Sequence, residues 1–160
     1  MKKKFVMLII VALTILGACS HNETEEGGHT AHERLPNGDI QEATSSTNEL
    51  PTFLDEHNQD MKNIYLVAAK HQELLEHIPC YCGCSLSANH KDNYDCFIHE
   101  NRKDGSIVWD NHGTKCQVCV DIAAESAILY NQGKSIKDIR EYIDEKYKEG
   151  FAEPTPTPGV

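Results

Sequence analysis

Six cysteines lie between residues 80 and 119, and three of them fall within the hexapeptide Pro79–Cys84, which reads Pro-Cys-Tyr-Cys-Gly-Cys. Cysteines separated by one residue are poor disulfide partners, because their Cα spacing and Cβ directions must both suit the bridge. They can instead direct several sulfurs at one metal ion or one partner sulfur. The full pattern, C-x-C-x-C, a single cysteine and C-x-x-C, is formed by Cys80, Cys82, Cys84, Cys96, Cys116 and Cys119. It predicts one site shared by the loop cysteines and the C-x-x-C cysteines.

The first eighteen residues have the features of a secretory signal. Three lysines at positions 2–4 precede an apolar run over residues 5–16, and Leu-Gly-Ala then leads directly to Cys19. The run is too short to span a membrane comfortably, and the small residues before Cys19 suit a signal peptidase. We therefore expect that residues 1–18 are removed and that Cys19 becomes a lipidated first residue, carrying acyl chains such as palmitate. This predicts an extracytoplasmic protein anchored to the cell membrane; an uncleaved single-span anchor is the alternative.

The charge of the chain limits its partners. The formal net charge is −10, and the removal of residues 1–18 takes away three lysines and no acidic residue, which changes it to −13. A chain this acidic is a poor partner for nucleic acid, and it repels anionic lipid headgroups. The lipid anchor on Cys19 is therefore expected to be its contact with the membrane.

Composition divides the chain into a tether, a domain and a tail. Residues 19–50 are rich in Glu, Asn, Thr, Ser, Gly and His, with few large apolar side chains to offset the entropy lost on ordering. They predict a flexible tether. The Pro-rich residues 151–160 predict a disordered tail. Residues 51–150 remain as one small cysteine-rich domain.

The expected fold of this domain is mainly α, with three helices and a cysteine-rich loop. Apolar residues recur at steps of three to four between residues 61 and 78, which predicts a helix that Pro79 ends. Residues 105–109 are one short candidate for extended structure. Trp109, the only tryptophan, is expected to pack over the core.

The C-x-x-C motif is expected to open the second helix. Thr114 and Gln117 predict a capping box, so that Cys116 and Cys119 lie on the first turn and face the domain interior. Unpaired amides at this end of a helix favour a thiolate. A third helix is expected after Gly133, capped at residues 135–138 by serine and aspartate.

The cysteine pattern and its neighbours resemble a known family. The hexapeptide, the run Asn93–Ile98 and the pair His112-Gly113 ahead of the C-x-x-C are similar to the bacterial lipoproteins named for their PCYCGC motif. The likeness covers most of residues 51–150. The family is uncharacterised, so the resemblance implies a type of lipoprotein and no particular activity. It also implies a ligand role for His90, which is retained where the family usually carries Gly-His.

A weaker similarity points to a different function. The Cys-Gly-Cys loop and residues 133–135 are similar to thioreductase-type components of cytochrome c maturation, which pass electrons to apocytochrome thiols. This similarity implies an extracytoplasmic redox protein with a redox partner.

Three functions are compatible with these residues. The first is binding of a soft ion, zinc or copper, by a carrier or buffer at the cell surface that serves a metal-acceptor protein. The second is a framework of three disulfides, and the third is thiol–disulfide exchange. The chain has no nucleophile elbow, phosphate-binding glycine loop or H-E-x-x-H, so thiol exchange is the one enzymatic alternative. The candidate metal ligands are Cys80, Cys82, Cys84, Cys96, Cys116, Cys119, His90 and His112.

Overall fold

The computed structural model describes residues 32–160, so Cys19 and the signal sequence lie outside the described part of the chain. It contains a four-stranded antiparallel sheet in the order β1-β2-β4-β3. The strands are β1 (His32–Arg34), β2 (Ile40–Thr44), β3 (Ile98–Asn101) and β4 (Ile107–Asp110). The helices are α1 (Gln59–Lys70), α2 (Gln72–Leu75), α3 (Cys84–Ser87), α4 (Gln117–Asn131) and α5 (Ile136–Lys146). The expected mainly α fold of three helices is therefore wrong, and the described chain is an α/β fold.

Half of the sheet comes from residues that composition assigns to the tether. Strands β1 and β2 lie within residues 32–44, and β2 pairs with β4 across more than sixty residues of chain. The polar side chains of β2 find partners in the fold. Glu42 is fully buried, and its carboxylate accepts hydrogen bonds from the backbone amides of Thr52 at 2.7 Å and Phe53 at 3.3 Å. Local composition contains no sign of these partners.

An aromatic cluster fixes α1 on the sheet. The prediction that Trp109 packs in the core is confirmed, since its side chain is fully buried and its indole nitrogen donates to Thr44 Oγ1 at 2.8 Å. Tyr65 on α1 meets the Phe97 ring edge-on, with ring centroids 5.2 Å apart. The Tyr65 hydroxyl donates to the backbone oxygen of Asp110 at 2.9 Å, which ties α1 to the end of β4.

The helices differ from expectation in two places. The first expected helix is interrupted at His71, where the backbone leaves the helical region between α1 and α2. The capping box at Thr114 is not formed: its hydroxyl donates to the backbone oxygen of Asn111 instead, and α4 begins with Cys116 as its N-cap. The cap of α5 is confirmed, since Ser135 Oγ accepts from the amide of Asp138 at 3.1 Å. Within residues 32–160, none of the helices is both long and apolar enough to cross a bilayer.

The Pro-rich C-terminal residues lie against the cysteine loop. The amide of Ala152 donates to the Tyr81 oxygen at 3.0 Å, and the amide of Thr155 donates to the Cys80 oxygen at 3.0 Å. In return, the Cys80 amide donates to Thr155 Oγ1 at 2.9 Å, and Thr155 is buried. Residues 151–160 were expected to be a disordered tail, but part of this segment is bonded to the loop.

Replacing Thr155 by valine is expected to lower the free energy of unfolding by about 1–3 kcal/mol, because the buried Cys80 amide loses its acceptor. Urea denaturation measures the difference. Thr47→Val is the matched control, since Thr47 lies in a partly exposed turn and its hydroxyl has no hydrogen bond within residues 32–160. Equal losses in the two variants would show that the buried hydrogen bond is not responsible.

Candidate metal site

The hexapeptide turns sharply between α2 and α3. Gly83 has φ +86, a left-handed conformation from which the chain enters α3. An L-residue in this conformation costs roughly 1–2 kcal/mol, which accounts for the glycine between two cysteines. The turn brings together the sulfurs of Cys80, Cys82 and Cys84, which all lie within 4.8 Å of one another.

Helix α4 adds a further sulfur to this group. Cys119 is fully buried on the first turn of α4, and its Sγ lies 3.4 Å from Cys80 Sγ and 3.5 Å from Cys82 Sγ. The Cys80 and Cys82 sulfurs are 3.4 Å apart, so the three sulfurs form a nearly equilateral triangle. Sulfurs bound to one tetrahedral zinc ion lie about 3.8 Å apart. A small expansion of the triangle would therefore accommodate such an ion.

Asn93 fixes the position of Cys119. Its side-chain nitrogen donates to the Cys119 oxygen at 3.2 Å, and its own amide donates to the Ile78 oxygen at 2.9 Å. Asn93 is fully buried. The start of α4 and the chain just before the hexapeptide are thus held by the same residue.

A second group of donors lies beside the triangle. One donor atom each from Cys84, His90, Cys96 and His112 lies within 4.8 Å of the others. Cys84 and Cys96 are fully buried with their sulfurs 3.8 Å apart, and the two histidine rings meet edge-on with centroids 4.7 Å apart. Two thiols and two imidazoles form a donor set typical of zinc.

Cys116 is the most peripheral of the six cysteines in its contacts. It is half-buried at the N-cap of α4 and belongs to none of the groups in which all donor atoms lie within 4.8 Å of one another. Its thiol still lies near enough to Cys82 to lower the pKa of that residue. The expected inward orientation of the C-x-x-C motif therefore describes Cys119 better than Cys116.

His112 is oriented by a carboxylate. Its Nδ1 lies 3.1 Å from Asp39 Oδ2, and its Nε2 lies 3.9 Å from Cys82 Sγ. Lys115 donates to the other Asp39 oxygen at 2.8 Å. Although burial opposes ionisation of Asp39, hydrogen bonds from Lys115 and His112 lower its pKa. The ionised carboxylate holds Nδ1 protonated, which leaves Nε2 facing the sulfurs.

Hydrogen bonds among the thiols set the charge of the site. The neighbouring thiols of Cys116 and then Cys119 lower the pKa of Cys82 far below its usual range. The hydrogen bond with Cys119 lowers the pKa of Cys80, and the hydrogen bond to Cys82 opposes that shift. Burial raises the pKa of Cys96. Burial also opposes protonation of His112, but hydrogen bonds to Cys82 and Asp39 raise its pKa to about 9. Thiolates and thiols thus share protons that a metal ion can displace.

All six cysteines of the described chain are free thiols, so the alternative of a framework of three disulfides is not formed in this structure. The expectation that loop and C-x-x-C cysteines meet agrees with the position of Cys119. His90, which the family resemblance marks as a ligand, is buried and has a donor atom within 4.8 Å of those of Cys84 and Cys96.

Two acidic residues at the site were not predicted from sequence. Asp39 lies 73 residues before its partner His112. Asp110 accepts from the amide of His112 at 2.8 Å through Oδ1 and from Gln41 Nε2 at 2.9 Å through Oδ2. Asp110 directly precedes Asn111 and His112, but nothing in the local pattern distinguishes it from a surface carboxylate, and composition places Asp39 in the tether.

Comparison with known proteins gives a family and no activity. A family model described as "Protein of unknown function with PCYCGC motif" matches residues 7–160. No curated protein and no solved structure matches the chain significantly.

Proposed function

The chain belongs to the family of proteins of unknown function with the PCYCGC motif, and we propose that it binds a soft metal ion through its clustered cysteines. The observation that carries the proposal is the triangle of Cys80, Cys82 and Cys119, whose sulfurs are 3.4–3.5 Å apart and unbridged. Segments 39 residues apart in sequence converge to form it. Three sulfurs held at this spacing suit one thiophilic ion.

The surroundings support ligation. Cys80 and Cys119 are fully buried, and Cys82 accepts from both of their thiols. A buried thiolate needs a compensating positive charge or several donors. A cation would replace the shared protons and neutralise the sulfurs together, with Cys116 or His112 as a fourth donor next to Cys82.

The donor type limits the ion. Thiolate is a soft ligand that favours zinc and Cu(I) over calcium or magnesium, which prefer oxygen. Both zinc and copper fit the triangle. We propose that the protein acts as a carrier or buffer for such an ion and passes it to an acceptor protein.

The experiment that tests binding is elemental analysis of the purified protein starting at Ser20, with free thiols counted in the same sample. About one or more equivalents of zinc or copper, with thiols that react only after chelation, are expected. Protein that binds neither ion when purified anaerobically and supplied with each would contradict the proposal.

Thiol–disulfide exchange is a second candidate, and one observation favours it. Cys82, His112 and Asp39 form a chain in which the carboxylate orients the imidazole and the imidazole faces a sulfur with a lowered pKa. Such a thiolate is a nucleophile as well as a ligand. Rapid reduction of a model disulfide by metal-free protein, lost in Cys82→Ser, would support exchange.

We also propose that the protein is a lipoprotein anchored on the extracytoplasmic side of the cell membrane. The support is the basic and apolar leader followed by Leu-Gly-Ala-Cys, which precedes the described residues. Cys19→Ala is expected to abolish acyl labelling and to leave the protein unprocessed or released into the medium. Normal labelling of that variant would refute the assignment of Cys19 as the lipidated residue.

A further inference from the structure

We propose that the cluster holds two metal ions side by side, the second bound by Cys84, His90, Cys96 and His112. The inference deepens the proposed function and rests on it. The first ion lies at the Cys80, Cys82 and Cys119 triangle. The second set is complete by itself, since its four donor atoms lie within 4.8 Å of one another.

His90 provides the sharpest observation for the second ion. Its side chain is buried, and its Nδ1 has no hydrogen-bond partner among the described residues. An unpaired polar atom in the interior costs roughly 1–3 kcal/mol, so one without a partner calls for an explanation. A ligand bond from the imidazole to a metal ion would satisfy it.

Cys84 and Cys96 supply the thiolates of this set. Their sulfurs lie 3.8 Å apart, which matches the spacing of about 3.8 Å expected for two sulfurs on one tetrahedral zinc ion. Cys96 is fully buried on the turn that precedes β3, so it is far less accessible than a thiol used for exchange. Its thiol also donates a weak hydrogen bond at 4.0 Å to the Asp92 oxygen.

His112 completes the set with an oriented nitrogen. Asp39 binds its Nδ1, so Nε2 is the atom directed at the sulfurs. Carboxylate, histidine and metal in this order are a common arrangement, in which the carboxylate fixes the ring and increases its basicity as a ligand. Asp39 is then a positioning residue that acts through His112.

The number of donors agrees with two ions. If His112 belongs to the second set, the first retains Cys80, Cys82, Cys119 and the neighbouring Cys116, so the thiols and imidazoles divide into two sets of four. One tetrahedral ion would use only half of them. The Cys80 sulfur also lies close to both sets. It is within 4.8 Å of the Cys82 and Cys119 sulfurs of the first set and of the Cys84 and Cys96 sulfurs of the second. The two ions would therefore be close enough to share a bridging thiolate.

The chemistry of the second set selects a divalent ion of the zinc class. Two thiolates with two imidazoles form the Cys₂His₂ environment typical of structural zinc, whereas the thiolate set would also accept Cu(I). The sites would thus differ in donor type, which makes them separable by spectroscopy.

Cobalt titration of the full chain, purified in detergent and kept reduced and anaerobic, tests the inference. Co²⁺ replaces zinc and gives ligand-field bands that distinguish thiolate-rich from mixed donor sets. About two equivalents per chain are expected in the original protein and about one in His90→Ala, with the thiolate-rich bands retained. His99→Ala is the matched control, because His99 is exposed and belongs to none of the donor groups.

The outcomes separate this inference from the function on which it rests. The absence of tight binding of cobalt, zinc and Cu(I) overturns both, whereas tight binding of Cu(I) alone overturns only the second site. One equivalent in the original protein, or two equivalents that persist in His90→Ala, overturns the second site alone. X-ray absorption of the original protein, shown to hold two zinc ions per chain, does not depend on the folding of a variant: the two sites together predict an average of about three sulfurs and one nitrogen per zinc. A pure four-sulfur shell would overturn the second site.

Discussion

Replacing Cys82 by serine is expected to weaken zinc binding at the triangle by more than about 100-fold. Cys82 accepts hydrogen bonds from Cys80 and Cys119, and it also contacts Cys116 and His112, so its sulfur is common to every arrangement of the first ion. A serine hydroxyl is not ionised at neutral pH and is a poor zinc ligand. Loss of a partner outside the coordination shell alone typically costs 10–100-fold, and a lost ligand costs more. Competition with a chromophoric chelator measures the affinity.

Ser85→Ala is the matched control, because Ser85 lies in the same loop and has no side-chain hydrogen bond within residues 32–160. Cys116→Ser should weaken binding in the same direction if Cys116 is the fourth ligand. If each of the Cys82 and Cys116 variants lost only part of the bound zinc, and did so independently of the other, the two cysteines would not share one ion. Unchanged affinity in Cys82→Ser would exclude the triangle as a metal site.

Much of the candidate site was predictable, because the type and the spacing of its residues are typical of a cysteine site. Three cysteines in five residues leave few uses for their sulfurs other than a shared partner, and the C-x-x-C at a helix start is recognisable without tertiary information. Even so, the spacing did not reveal that Cys119, rather than Cys116, is the fully buried member. That difference depends on where α4 begins, and the expected capping box was displaced by a bond between Thr114 and Asn111.

The sheet was not predictable by the same means. Strand β2 carries Gln41 and Glu42, which read as solvated tether residues, yet both are buried because Asp110, Thr52 and Phe53 supply their partners. These contacts are made by side chains and amides 10 to 69 residues away in sequence. From local composition one can infer that burying a polar side chain costs free energy, but not that a residue distant in sequence supplies a hydrogen bond that offsets this cost. Asp39 was missed for the same reason.

Removing the metal under reducing conditions is expected to lower the melting temperature by at least about 10 °C. A ligand present at 1,000 times its dissociation constant stabilises the native state by about 4 kcal/mol, and structural zinc sites can contribute roughly 10 kcal/mol. In a domain of this size each kcal/mol corresponds to roughly 3–5 °C. Loss of order should be concentrated in residues 79–96, because three segments of the chain meet at the sulfurs there. The aromatic cluster around Tyr65 should keep α1 on the sheet without metal. Melting curves and amide hydrogen exchange, with and without chelator, measure both effects.

The melting temperature also distinguishes metal binding from disulfide formation, because a chelator removes the metal and a reductant breaks the disulfides. If the sulfurs bind metal, chelator lowers the melting temperature, reductant alone does not, and added zinc restores it. An oxidant should fail to restore it, because only some sulfur pairs can bridge and the buried imidazole of His90 would remain without a partner for Nδ1. If disulfides form in the natural protein, reductant lowers the melting temperature and chelator has no effect. If protein purified aerobically shows this second pattern and contains no metal and no free thiols, metal binding does not stabilise the fold. The close sulfur pairs would then be the positions at which disulfides form.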